Sequence, residues 1–169
     1  MRYVLICILV FSFFSGCTKP LNPPSGKITQ FGIFKGEAGT LYKNTMDERG
    51  NHIHSFTGGQ FVDGDKPISP SKGLRFGFYA NFVDFPSSTP VELTYVIQHP
   101  PIRSRDGKIF TEDRWTHTWR TDKSGDLPGK SISFDFDEPN EMVSGTWLFQ
   151  IYYGKKLLVE QSFETLLPK

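Results

Sequence analysis

Cysteine is nearly missing from this chain: there are two in 169 residues, Cys7 and Cys17, both ahead of everything that reads as folded. From Thr18 onward no thiol is left for a disulfide, a thiolate metal site or a nucleophile, so the fold rests on its core alone. Charge of one sign is lacking too, since 19 Lys and Arg stand against 18 Asp and Glu with no basic stripe or block of like charge. Capture of nucleic acid by its phosphates has no footing in such a chain, and no nucleic-acid partner is expected. Long apolar runs are missing as well. The most extended, Tyr3 to Phe14 (YVLICILVFSFF), is too short to cross a ~30 Å hydrocarbon core as a helix. Helical periodicity is not sustained anywhere, and there is no G-x-S-x-G elbow, phosphate-cradling glycine loop or H-E-x-x-H. No catalytic residue and no bound cofactor are expected.

What is present begins with the leader. Arg2 followed by the apolar run has the form of a secretory signal. Phe14-Ser15-Gly16-Cys17 resembles the bacterial lipobox, in which two small residues precede a cysteine that takes lipid, although Phe14 stands where leucine is usual. The resemblance implies cleavage before Cys17, a diacylglyceryl group on its sulfur and an N-acyl chain on the new amino terminus. Residues 1–16 are then a lipoprotein signal peptide. Residues 17–27, rich in Pro, Ser, Gly and Lys, form a flexible tether, and 28–169 form one folded domain. The partner this implies is a membrane, reached through the lipid anchor. Thr18 rather than Asp after the cysteine points, by the same resemblance, to the outer membrane, facing the periplasm.

Beyond the tether the apolar period is two. Leu74, Phe76, Phe78, Ala80 and Phe82 alternate with polar or small residues. The pattern returns at Val91, Leu93, Tyr95 and Ile97, at Ile132, Phe134 and Phe136, and at Trp147, Phe149, Ile151 and Tyr153. Strands are also expected over Ile28 to Lys35, near His54 to Phe61 and over Arg114 to Arg120. A final hairpin turns at Gly154-Lys155 and sends Leu157, Val159 and Phe163 to the core. Turn formers at short intervals separate these runs, among them Gly58-Gly59, Pro86-Ser87-Ser88 and Ser124-Gly125-Asp126. The expected fold is all-β: an antiparallel, immunoglobulin-like β-sandwich of about seven or eight strands, without the Cys and Trp pair of antibody domains.

The strand GIFKGE, the HPP after the long central run and the ending GTWLFQIYYGKKLLVEQSF together resemble the bacterial family known as domain of unknown function 3859. Gly145, Trp147, Gly154, Glu160 and Phe163 carry the most specific part of that likeness. It implies an immunoglobulin-like domain and brings no catalytic residue or ligand with it.

Two places are candidates for chemistry. His52 and His54 form an H-x-H that, on a strand, would present two imidazoles to one side. With His117, or His99 in its place, they give the alternative reading: a metal-binding protein or metal-dependent hydrolase. Asp63-x-Asp65 is a fragment of a calcium loop without its closing Glu. The carboxylate pairs Glu112 with Asp113 and Asp135 with Asp137 are expected to be solvated. The second place is His99 to Arg120. Here a Pro100-Pro101 break, the loop charges Arg103 and Arg105, and the alternating Trp115, His117 and Trp119 suggest a face for an envelope protein, a peptide or a glycan. The plainer reading, and the favoured one, turns both tryptophans into the core.

Overall fold

The computed structural model describes residues 22–36, 38–46, 52–56, 59–104 and 106–168, with 38–46 and 52–56 described as backbone. The leader and Cys17 lie outside these residues. Among the described residues ten strands follow in chain order: β1 (Ser25–Lys35), β2 (Ala38–Met46), β3 (His52–Phe56), β4 (Gln60–Asp63), β5 (Arg75–Val83), β6 (Pro90–Arg103), β7 (Ile109–Arg120), β8 (Leu127–Asp135), β9 (Gly145–Tyr153) and β10 (Lys156–Thr165). A 3-10 turn, Pro139–Glu141, sits before β9. No helix among the described residues is long and apolar enough to cross a membrane.

The strands form two four-stranded antiparallel sheets, ordered β4-β1-β5-β8 and β10-β9-β6-β7, with β2 and β3 paired apart from both. The inward residues of β5 and β9 are those of the period-two pattern. Phe76, Phe78, Ala80, Phe82, Trp147, Phe149 and Ile151 are all fully buried. Phe76 is central, its ring within 5.2–5.4 Å of Phe136, Trp147, Phe149 and Phe163. Burying a side chain of this size is worth roughly 1.5–3 kcal/mol, and such rings are the main source of stability in a chain without cross-links. Deep inside, the Trp147 indole N–H donates to Thr165 Oγ1 at 3.0 Å, and that hydroxyl donates on to the Val143 carbonyl at 2.6 Å.

Several elements depart from the expected boundaries, each for a local reason. β1 opens at Ser25 rather than Ile28, because Ser25 to Lys27 already pair with Val83 to Asn81. The single strand expected near His54 to Phe61 is split into β3 and β4, with Gly59 at φ +92 between them. β2 was not expected at all, since its apolar residues do not alternate. In β10 the register shifts between Leu157 and Val159. Leu157 is thereby turned out, 41% exposed, while Leu158 packs against the core beside Val159 and Phe163. The Pro100-Pro101 break is not a break: β6 runs through it to Arg103. Its ladder to β9 has ended at Gln98 and its pairing with β7 resumes at Ile102, so neither proline stands where a ladder N–H is needed.

Candidate functional site

The face that stands out lies along β7. Trp119, His117 and Trp115 are register partners of Val91, Leu93 and Tyr95 on β6. Those three are buried core residues, so strand alternation puts the aromatic row of β7 on the core side of its sheet. Yet β7 is the last strand of that sheet among the described residues, and the edge strand β8 of the other sheet reaches Trp119 through Lys130. The row is therefore inward-facing but incompletely covered. Trp115 is 40% exposed, Trp119 is half-buried and His117 is exposed. The expectation that both tryptophans belong to the core holds for their direction and fails for the burial of Trp115.

Contacts within the row are specific. Trp115 stacks on Tyr95 with centroids 5.4 Å apart and planes 9° from parallel, which leaves its other face open. Trp119 donates its indole N–H to the Tyr95 hydroxyl at 2.7 Å. Burial pushes the Tyr95 phenol up to about 12, against a smaller downward pull from that N–H. The Lys130 ammonium lies 4.0 Å from the Trp119 ring centroid, a cation–π contact, and the His117 ring centroid is 4.1 Å from the same ring. Burial holds Lys130 below the usual lysine range. Tyr95 and Lys130 are members of the site that the sequence did not single out. Tyr95 reads as one more core residue, and Lys130 arrives from the opposite sheet.

The other candidates fall elsewhere. Arg103 is exposed at the far end of the β6–β7 hairpin, where its guanidinium donates to the Gly107 carbonyl at 3.0 Å. Its register partner is Ile109, six residues and about 20 Å along β7 from Trp115. Arg105 lies outside the described residues. His99 is buried against Trp147, with Nδ1–H donating to the Pro100 carbonyl at 2.8 Å and Nε2 3.9 Å from Asp113 Oδ2. It is a buried member of the aromatic core. His52 and His54 lie on β3, their side chains outside the description. Among the described residues no three His, Cys, Asp or Glu converge on a point a metal could occupy. Asp63 is engaged by Lys66 at 2.9 Å and Lys35 at 3.8 Å, so ammonium groups stand where a calcium ion would need to be. The Lys66 hydrogen bond and charge hold the Asp63 carboxyl below its ordinary value. Asp135 forms a two-pronged pair with Arg75, and Glu112 accepts from Arg114 Nε at 2.8 Å.

Two packed antiparallel sheets with an aromatic overhang and no converging polar cluster among the described residues define the class: an immunoglobulin-like sandwich. The family model for the domain of unknown function DUF3859 matches residues 24–165, and the chain belongs to that family. Among solved structures it is similar to an immunoglobulin-like protein (PA1606) from Pseudomonas aeruginosa, at 19% identity and a TM-score of 0.55, covering 88% of this chain and 100% of that one. That likeness speaks for the fold alone. No curated protein matches the chain.

Proposed function

We propose that this protein is a non-catalytic binding module of the bacterial cell envelope, held by lipid on Cys17 at the outer membrane and engaging its partner through the aromatic row of β7. The observation that carries the reading is Trp115, a large ring 40% exposed on a rigid strand, stacked on one side and open on the other. Rigid, amphipathic aromatic rings contribute much of the energy of protein contacts at little entropic cost. Lipid at Cys17 would set the domain beside the membrane on the segment before β1, within reach of other envelope components.

Two measurements test the two halves. Intact mass of the native protein should show a chain beginning at Cys17 and carrying acyl chains; an intact leader or an unmodified cysteine would remove the envelope reading. A photoreactive residue replacing Trp115 in the anchored protein should give a discrete cross-linked product, while the same residue at Lys123, in an exposed turn, should not. Equal or absent cross-linking from both positions would remove β7 as the contact surface.

A further inference from the structure

The four edges of the two four-stranded sheets are not equally protected. β4 offers only four residues and ends at Asp63, with φ +59. β10 is flanked by the segment at Ile68, whose N–H bonds the Glu164 carbonyl and whose carbonyl accepts from Leu166. β8 carries Pro128 and Gly129, and the Gly129 N–H is taken by the Asn81 side chain at 2.8 Å. β7 has none of these devices. From Arg120 to Glu112 it makes nine uninterrupted register pairs with β6, contains no Pro or Gly, and carries no further strand on its outer side among the described residues. A long, regular, open edge is a template for another strand.

We infer that the strand it takes is β7 of a second copy of this chain, antiparallel about a two-fold axis at Thr116. This rests on the reading of β7 as the contact surface and names its occupant. With Thr116 opposite itself, Glu112 faces Arg120 twice, Arg114 faces Thr118 twice, and Trp115 faces His117 twice. No like charges are opposed. Opposite charges therefore meet on the outer face, and the open side of each Trp115 gains an imidazole on the inner face. Moving the axis one residue to His117 puts Arg114 opposite Arg120 at both ends, which like-charge repulsion disfavours. Arg120 already donates to the Ser88 carbonyl at 2.7 Å, and Glu112 already accepts from Arg114. A guanidinium has five N–H donors and a carboxylate two oxygens, so both can add the new bond without giving up the old. Joined this way, the two β6–β7 sheets become one continuous sheet of eight strands.

The near absence of native cysteine makes the register directly testable in the full lipidated protein. Cross-strand partners bring Cβ atoms within about 5.5 Å, close enough for a disulfide, while positions two residues off the axis are too far from their own copies. Thr116→Cys should therefore give a disulfide-linked dimer on a non-reducing gel. Thr118→Cys alone should not, but co-expressed with Arg114→Cys it should give the mixed dimer. In sedimentation of the detergent-solubilised protein, R120E should weaken the dimer by about tenfold or more, and E112R combined with R120E should restore it. A Thr116→Cys protein that stays monomeric, equal cross-linking through Thr118→Cys alone, or no rescue by the charge swap would each overturn the self-pairing. A monomer that still cross-links from position 115 to another envelope component would sink this inference and leave β7 as the contact surface standing.

Discussion

Two residues show how polar groups are handled inside a core this rich in aromatic rings. Thr165 is fully buried, and its one hydroxyl satisfies both the Trp147 N–H and the Val143 carbonyl. Thr165→Val keeps the shape and strands both groups, so a loss of about 1–3 kcal/mol is expected from chemical denaturation. Tyr95 is the second. Its phenol is raised by burial to about 12 from an ordinary 10.0, so the folded state holds the proton more tightly than the unfolded chain does. The stability this represents is intact below pH 10.0 and is lost as the pH climbs through about 12. Phenolate absorbance should therefore show a late-titrating component that is absent in Tyr95→Phe, and that variant should lose less stability over the same interval. Neither role was legible beforehand. Thr165 reads as the end of a strand and Tyr95 as an ordinary inward residue, because a side-chain hydrogen bond across a hairpin depends on the register of the two strands and leaves no pattern in either alone.

At the scale of elements, alternation carries information that bulges then edit. The inward faces of β5, and of β9 as far as Ile151, could be read residue by residue because the register shifts beside them place the extra residues in the partner strands, at Thr29 of β1, Pro128-Gly129 of β8 and Leu158 of β10. β10 could not be read so far. Its register shift against β9 turns Leu157 outward and brings Leu158 to the core, and neither residue type marks the place of that shift. Val159→Ala should accordingly cost about 1–3 kcal/mol, and Leu157→Ala should stay within about 0.5 kcal/mol of the parent, both measured by thermal or denaturant unfolding. Gly32 marks a second hidden constraint. It sits at φ +121 between β4 and β5, and a Cβ there would lie 2.0 Å from the Val62 carbonyl oxygen. Gly32→Ala should break the β1–β4 pairing, with a loss above about 2 kcal/mol and faster amide exchange over Phe61 to Asp63 than over β5.

For the whole molecule, what decides the site is the relative placement of two sheets. β10 lies against β1, and at the other side β7 is met by Lys130 of β8. The class of fold was legible because it follows from many local alternations that agree. The exposure of Trp115 was not, because it depends on which strand stands opposite β7, and nothing in the sequence of β7 contains that. A contact surface on β7 requires Trp115 to be covered where the protein works. Hydroxyl-radical footprinting of the dilute isolated protein, compared with intact envelopes, reads this without knowing the partner. Oxidation of Trp115 should be rapid in isolation and strongly suppressed in the envelope, with the buried Trp147 unreactive in both. Equal oxidation of Trp115 in the two settings would contradict β7 as the surface through which this protein acts.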